Sequence, residues 1–300
     1  MVNEILNLID NNMSFIVRER KKIKDILSNK ENKIFKVRHD NTLVGVSVIN
    51  KNTILLLCVD KKYQKKGNGS MLLEMSEKYV KDNGFITIRI GAGFDYIVPG
   101  VPTNKMVINE NLGKTDIPDS ITDEAKQFFE KRGYYHFWDC NCFDMKMNLS
   151  DYTNININEN NVTNGIKYRF ATKNDIDKII LCTDDAEKSF SGYYKDLNLY
   201  GNGSQRVLVG EKGDEIVGTL IISNETEAKD TGSVGCTTVK HSERGKHIGV
   251  NLVSYGTKYL KSLCLKKGFL GYTYSGLDKM YGYSGYKICC FYFMAEKKLK

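Results

Sequence analysis

The feature that most constrains the fold is a strand-turn-helix pattern that the chain contains twice, 180 positions apart. The first copy joins an apolar run, Ile54 to Val59, through a basic turn with two glycines to an amphipathic helix that opens at Ser70. The second copy runs from Val239 through a similar turn into a helix with apolar residues at the same i, i+3, i+7 spacing. Agreement at one offset over about 25 positions indicates a duplicated domain.

A strand, a tight glycine turn and a helix start favour binding of an anion. The N–H groups of a first helical turn are unpaired, and the helix dipole is positive there. The alternative for either loop is a packing turn that binds nothing. The residues predicted to bind the anion are Gln64, Lys65, Lys66, Gly67, Asn68, Gly69 and Ser70 in the first loop, and Arg244, Gly245, Lys246, His247, Ile248, Gly249 and Val250 in the second.

His247 stands where the first loop has Gly67. If this position needs a positive φ, histidine is among the side chains that tolerate it better. Its ring could nevertheless obstruct a phosphate, so the sequence favours the first loop as the better-formed binding site.

The two loops resemble the acetyl-CoA diphosphate loop of the GNAT N-acetyltransferase superfamily. Residues 64–69 match its Gln/Arg-x-x-Gly-x-Gly/Ala pattern fully, and residues 244–249 match it except at the histidine. Residues 125–134 closely resemble a second family segment, A-x-x-F-Y-E-K-x-G-F, and residues 280–286 resemble its second half. The resemblance covers most of the chain. It implies an α/β (α+β) protein of two tandem domains, each a mixed, mostly antiparallel twisted sheet flanked by helices.

The predicted division is an N-terminal domain at 1–149, an asparagine-rich linker at 150–165 and a C-terminal domain at 166–300. The first domain carries an insertion at 91–120, which either walls a pocket, contacts the other domain or is simply solvated. Residues 172–175 predict a capping box that opens a helix. Helices are predicted within 3–30 and at 70–82, 122–132, 173–183, 184–199 and 276–283, and strands at 34–38, 43–49, 54–59, 85–90, 134–147, 205–211, 215–223, 233–239, 269–274 and 287–298.

The resemblance implies direct acetyl transfer from acetyl-CoA to an amine. Backbone N–H groups near Val59 and Val239, where the central strands end, would orient the thioester carbonyl, by analogy with an oxyanion site. Tyr281 aligns with the family's tyrosine that protonates the leaving thiolate, whereas the first domain has Phe129 there. A phenol can donate this proton and a phenyl ring cannot. The alternative for Tyr281 is an aromatic residue that only packs.

These residues predict that the second domain is catalytic, since it has the tyrosine and a complete domain opening. The first domain would bind coenzyme A without turnover or shape the acceptor pocket. Glu225, Glu227 and Asp278 are candidates for the base, water is another, and His241 is expected to be exposed and noncatalytic. A noncatalytic acyl-CoA-binding or protein-interaction module is the alternative function.

Composition narrows the setting. The 300 residues carry a net charge of +8, which fits a lysine-rich surface, attraction of polyanionic coenzyme A, or nucleic-acid binding. Basic residues alternate with acids, so no nucleic-acid partner is expected. Apolar runs are too short for a membrane span, the N-terminus does not resemble a signal peptide, and the eight cysteines lack zinc spacing. We therefore expect a cytoplasmic protein without metal that acts on a small-molecule or peptide amine; the sequence sets neither the acceptor nor the oligomeric state.

Overall fold

The computed structural model describes residues 2–13, 20–91, 97–153, 162–226 and 228–299. Within them the helices are α1 (Val2–Asn12), α2 (Arg20–Ser28), α3 (Asn68–Asp82), α4 (Glu124–Glu130), α5 (Ile176–Ala186), α6 (Ile248–Ser262) and α7 (Asp278–Gly282). The strands are β1 (Lys33–His39), β2 (Thr42–Asn50), β3 (Thr53–Val59), β4 (Thr87–Ile90), β5 (Val101–Thr103), β6 (Tyr135–His136), β7 (Cys142–Asn148), β8 (Val162–Thr163), β9 (Ile166–Phe170), β10 (Gln205–Lys212), β11 (Glu215–Ser223), β12 (Thr231–Val239), β13 (Lys267–Tyr274), β14 (Lys287–Phe293) and β15 (Ala295–Lys298).

The described residues form two compact units. The first comprises those within 1–110, 117–143 and 290–300, and the second those within 111–116 and 144–289. The predicted division put 111–116 and 144–149 in the first domain and 290–300 in the second. The described residues of these three segments lie in the opposite units. The predicted linker lies mostly outside the described residues, since 154–161 are among those omitted.

The sheet of the first unit has the strand order β1-β2-β3-β4-β15-β6 and is antiparallel except for the parallel pair β3–β4. Helix α3 packs against β1 to β4 with its apolar face, where Leu72 and Val80 have no exposed surface. Burying such side chains stabilises the unit by about 1.5–3 kcal/mol each. The last strand of the chain, β15, is thus an interior strand of the first unit's sheet.

The sheet of the second unit contains the strands β13-β12-β11-β10-β9-β8 in that order. Strands β8 to β12 pair antiparallel, and β12 pairs parallel with β13. Helices α5 and α6 pack on β11 and β12, as α1 and α3 pack on β2 and β3. The predicted fold class, two mixed and mostly antiparallel sheets flanked by helices, is confirmed.

Several predicted elements were wrong in extent. The strand predicted at 134–147 is two strands, β6 and β7, and that at 287–298 is also two, β14 and β15. Helix α4 is shorter than 122–132, and its N-cap is Asp123 rather than Thr122. The helix expected at 184–199 is three short 3-10 segments at Lys188–Phe190, Tyr193–Lys195 and Leu197–Tyr200. Each error falls on aromatic or polar stretches without sustained helical or strand periodicity.

Two local predictions were confirmed. Thr172 and Asp175 form the predicted capping box, and β10 and β11 form the predicted hairpin. No helix of the described residues is long and apolar enough to cross a membrane. The described residues likewise contain no group of three or more His, Cys, Asp or Glu that could hold a metal ion.

Candidate functional site

The first loop, residues 64–70, is closed by two side-chain bonds to its own backbone. Gln64 Nε2 donates to the carbonyl oxygen of Val59 at 3.0 Å, and Asn68 Nδ2 donates to that of Tyr63 at 2.8 Å. These bonds fold the chain back on the end of β3 just before α3 begins. Lys65 and Lys66 lie exposed on the outer side, the latter with its ammonium 5.3 Å from the Tyr63 ring centre.

The second loop, residues 244–250, is closed in the same way. Arg244 Nε donates to the carbonyl oxygen of Val239 at 3.3 Å, and its NH2 group reaches Ala186 O at 3.1 Å. The first motif residue, glutamine or arginine, therefore performs one function in both units. It binds the backbone five residues earlier and closes the turn. Lys246 is held by Glu243 at 3.0 Å.

The two loops share two left-handed positions and differ in which one carries a glycine. In the first loop φ is 58° at Lys65 and 85° at Gly67, and in the second it is 79° at Gly245 and 60° at His247. His247 therefore adopts the positive φ that its position requires, at the modest cost expected of a non-glycine residue.

Both helices begin without a side-chain cap. Gly67 is the N-cap of α3 and His247 that of α6, and neither supplies a capping hydrogen bond. The N–H groups of each first turn are therefore available to an anion, and the helix dipole adds positive potential. The two loops therefore present the same backbone geometry at the start of their helices.

A helix from earlier in each unit supports the loop at the same place. Asn12 Oδ1 at the end of α1 accepts from Lys61 N at 2.9 Å, and Asp185 Oδ2 near the end of α5 accepts from His241 N at 2.7 Å. The ring of His241 also lies 3.4 Å from that carboxylate. The histidine is exposed, as predicted, and its backbone N–H anchors the loop to α5.

The second glycine of each motif packs against a later helix of its unit, Gly69 against α4 and Gly249 against α7. A Cβ at Gly249 would come within 2.7 Å of Met280 Sδ, whereas a Cβ at Gly69 would meet the Phe128 ring at 3.4 Å. Glycine is therefore required more strictly in the second loop. Through Met280, helix α7 and its Tyr281 are held directly against the loop.

An arginine distinguishes the first loop. Arg132 NH2 donates to Ser70 Oγ at 2.7 Å, and its guanidinium lies 3.8 Å from the Phe128 ring centre. Its NH1 group donates to Phe128 O at 2.8 Å. The corresponding residue of the second unit, Ser284, is buried and bonded to Ser254. Arg132 thus places a guanidinium at the start of α3, where the equivalent residue of the second unit is a serine.

The central strand of the second unit, β12, has a bulge at Cys236 and Thr237, just before it ends at Val239. Thr238 and Gly235 pair with β11, but the two residues between them do not, and one of these, Cys236, has a φ of 49°. Pairing with β13 ends at Ser233 and Phe269, although β12 continues to Val239. The two parallel strands therefore separate beyond Ser233, and the bulge lies along this opening.

Tyr281 points at the bulge. Its hydroxyl lies 3.1 Å from Thr237 Oγ1. Burial raises the pKa of Tyr281 well above its usual range, so the phenol stays protonated at neutral pH. A protonated hydroxyl beside an opened central strand can donate a proton to a group bound there.

The first unit differs from the second both at the position of Tyr281 and at the bulge of its central strand. Phe129 packs in the core against Tyr134, with ring centres 5.3 Å apart, and offers no hydroxyl. The bulge of β3 is at Leu55, whose carbonyl oxygen accepts from Ile97 N at 3.3 Å. Ile97 is itself 1% exposed, so a buried segment of the insertion covers this bulge.

The three acidic residues predicted as candidates for the base lie in different surroundings. Asp278 is buried, and its carboxylate accepts from Gly113 N at 2.7 Å and from Gly276 N at 3.1 Å. These bonds give it a structural role at the start of α7. The backbone oxygen of Glu225 accepts from Ser223 Oγ at 2.6 Å, and Glu227 lies outside the described residues.

Sequence reasoning missed two residues, Thr237 and Tyr194, which border the bulge. Thr237 carries no motif, and only its place two residues before Val239 could have drawn attention to it. Tyr194 could not have been found, because its contact with Cys236 joins residues 42 positions apart.

Comparison with protein families finds two domains in this chain. Residues 12–92 match an acetyltransferase (GNAT) domain model, and residues 174–277 match the acetyltransferase (GNAT) family model. Together these segments cover more than half of the chain, and each contains one of the two loops described above.

Solved structures share the fold across the whole chain. One is a GCN5-related glucosamine N-acetyltransferase region of a fungal multi-domain GH3 β-N-acetylglucosaminidase, with 19% identity, a TM-score of 0.74 and 98% of this chain covered. The match spans only 36% of that longer protein. A tandem GNAT protein from the clavulanic acid biosynthesis pathway has 12% identity and a TM-score of 0.71, with 100% of this chain and 95% of that chain covered.

A GCN5-related N-acetyltransferase from Sphaerobacter thermophilus has 16% identity and a TM-score of 0.67, with 99% of this chain and 92% of that chain covered. At these identities the likeness establishes the fold alone. A search of curated proteins found no match.

Proposed function

The chain belongs to the GNAT superfamily and carries two such acetyltransferase domains, and from this we propose that it is an acetyl-CoA-dependent N-acetyltransferase whose second unit transfers acetyl to a primary amine. The observation that carries this assignment is the Tyr281 hydroxyl, 3.1 Å from Thr237 Oγ1 at the opened central strand. The first unit has Phe129 in the corresponding place.

The second loop supplies the site for the diphosphate of acetyl-CoA. Its first-turn N–H groups carry no side-chain cap, and Lys246 lies on its exposed side. The thioester would lie along the opening between β12 and β13, where backbone N–H groups near Val239 and the bulge can polarise its carbonyl. The fit rests on backbone geometry, so it tolerates His247 in place of glycine.

The reaction begins when the neutral amine attacks the thioester carbonyl carbon and a C–N bond forms. The tetrahedral intermediate collapses, the C–S bond breaks, and the thiolate of coenzyme A takes the proton of Tyr281. The tyrosinate regains a proton from the nitrogen, through water or solvent, so the products are an amide and a free thiol. A general acid of this kind accelerates a reaction by about 10²–10⁴-fold.

The first unit contributes structure rather than chemistry in this proposal. Its loop has the geometry for a diphosphate, but Ile97 occupies the hydrogen-bonding position at the Leu55 bulge. Acyl transfer there would also lack a proton donor, because Phe129 is apolar. The first unit therefore binds coenzyme A without turnover or helps to shape the acceptor pocket.

The test measures thiol release from acetyl-CoA with a panel of amino sugars, polyamines and lysine-containing peptides. We expect at least one amine to stimulate release and Tyr281→Phe to lower kcat by about 10²-fold or more. Tyr286→Phe is the matched control, since Tyr286 is also buried in the second unit and its hydroxyl lies 3.3 Å from that of Thr257. Its rate should stay within about twofold of the unmodified protein.

Two outcomes would contradict the proposal. Equal rates for Tyr281→Phe and Tyr286→Phe would remove Tyr281 from the chemistry. Binding of acetyl-CoA without thiol release on any amine would instead indicate the noncatalytic acyl-CoA-binding module.

A further inference from the structure

The bulge of β12 is held by a buried tyrosine from the 3-10 segment Tyr193–Lys195. Tyr194 has no exposed surface, and its hydroxyl donates to the carbonyl oxygen of Cys236. Cys236 has the left-handed φ of 49°, which costs a residue with a Cβ about 1 kcal/mol or more. A backbone conformation of this kind persists only where neighbouring groups fix it, and Tyr194 supplies such a bond.

The tyrosine is itself oriented by a chain of hydroxyls. Thr219 Oγ1 donates to the Tyr194 oxygen at 2.8 Å, and the hydroxyls of Thr219 and Thr238 are 2.6 Å apart. Because Thr219 has one proton and gives it to Tyr194, Thr238 must donate to Thr219. The chain therefore runs in one direction and ends at the carbonyl of the bulge, and all three side chains are buried.

The bulge in turn places the catalytic hydroxyl. Thr237 follows Cys236 directly, and its hydroxyl lies 3.1 Å from that of Tyr281. If Thr237 donates to the Tyr281 oxygen, the phenolic proton is left for the leaving thiolate. A shift of the bulge would move Thr237 and with it the direction of that proton.

We propose that Tyr194 is a positioning residue for acetyl transfer, which fixes the bulge at Cys236 so that Thr237 orients the hydroxyl of Tyr281. The inference rests on the proposed function of the second unit. Tyr194 acts through the backbone and through Thr237, and it does not itself touch the reacting atoms.

The test compares Tyr194→Phe with Tyr200→Phe in the full chain, using acetyl-CoA and an amine that stimulates thiol release. Tyr200 is also buried, and its hydroxyl donates at 2.6 Å to the backbone oxygen of Tyr194, away from the bulge. Each variant removes one buried hydroxyl. We expect kcat to fall about tenfold in Tyr194→Phe with an unchanged KM for acetyl-CoA, and to stay within about twofold in Tyr200→Phe.

A double mutant separates positioning from general loss of structure. Because Tyr194 acts through Thr237, Tyr194→Phe combined with Thr237→Val should be no slower than Thr237→Val alone. Multiplied losses in the double mutant, or equal losses in the two tyrosine variants, would overturn the inference while leaving the proposed function intact. An unmodified protein without thiol release would overturn the proposed function and this inference with it.

Discussion

The loop before α3 and the loop before α6 have the same backbone geometry. The central strands that lead into them, β3 and β12, differ in the groups that contact their bulges. Gln64 and Arg244 each close their loop on a valine carbonyl. At the bulges, however, the carbonyl oxygen of the first unit accepts from the backbone N–H of Ile97, and that of the second accepts from the hydroxyl of Tyr194. The loop geometry therefore does not distinguish the two units, because it depends on turn chemistry that both units satisfy.

The same comparison explains why the better sequence motif belongs to the unit without the tyrosine. The glycine at 67 serves a positive φ that His247 also adopts. The histidine thus weakens the motif without changing the backbone. What separates the units is the residue at the position of Tyr281, since Phe129 packs in a core whereas Tyr281 reaches Thr237 at the bulge of β12.

The largest expected effect concerns β15, which lies between β4 and β6 in the first unit's sheet. A chain that stops after Met294 lacks β15, whose Ala295 has no exposed surface and whose Lys297 bonds to Glu77 at 2.9 Å. Without it, β4 and β6 have no strand between them. We expect the cooperative unfolding transition of the first unit to disappear.

Hydrogen exchange measures this directly, through loss of amide protection in β4. A chain that lacks only residues 298–300 is the control, since it keeps most of β15. Unchanged protection of β4 after removal of β15 would contradict the observed strand order.

The next effect should be confined to the second unit, because the capping box of Thr172 and Asp175 lies at its start. Asp175 accepts from both Arg169 nitrogens at 2.8 Å and from Thr172. The Arg169 hydrogen bonds hold the pKa of Asp175 well below its ordinary value. Asp175→Asn should lower the free energy of unfolding of this unit by about 1–3 kcal/mol, through the lost cap and ion pair.

The pH dependence follows from the sign of that shift. A carboxylate with a depressed pKa binds fewer protons in the folded state than in the unfolded state, so its contribution is complete above the unfolded pKa of about 4. It is lost as the pH falls further. Denaturation between pH 7 and pH 3 should therefore show a steeper loss of stability for the unmodified protein than for Asp175→Asn, and parallel curves would contradict the assignment.

A smaller effect distinguishes the second glycine of each loop. Gly249→Ala forces Met280 to move, since its Sδ would lie 2.7 Å from the new Cβ, whereas Gly69→Ala meets Phe128 only at 3.4 Å. We expect kcat for thiol release to fall severalfold more in Gly249→Ala than in Gly69→Ala, because Met280 precedes Tyr281. Equal rates in the two variants would show that α7 does not need its present contact with the loop.

The sequence could predict what depends on local pattern. The duplication, both loops, the capping box at Thr172 and Asp175 and the hairpin around Gly213 follow from periodicity and turn chemistry within a few residues. The exchange of 144–149 and 290–300 between the units could not be predicted, because strands carry no local signal of which sheet they join. The bulge at Cys236 is likewise fixed by the distant Tyr194.

The central claim, that acetyl transfer takes place in the second unit, is tested most directly by one charge placed at equivalent sites of the two helices. Ser70 and Val250 are both the third residue of their helix. Glutamate is favourable there for the helix itself, since it can reach back to the N-cap N–H. The same carboxylate would repel a diphosphate and compete for its N–H donors.

The measurement is thiol release and calorimetric binding of acetyl-CoA for Ser70→Glu and Val250→Glu side by side. The proposed function predicts that kcat/KM for acetyl-CoA falls at least about tenfold further in Val250→Glu than in Ser70→Glu, a difference of about 1.4 kcal/mol in transition-state stabilisation. The larger loss in Ser70→Glu would place the reaction in the first unit and contradict the account.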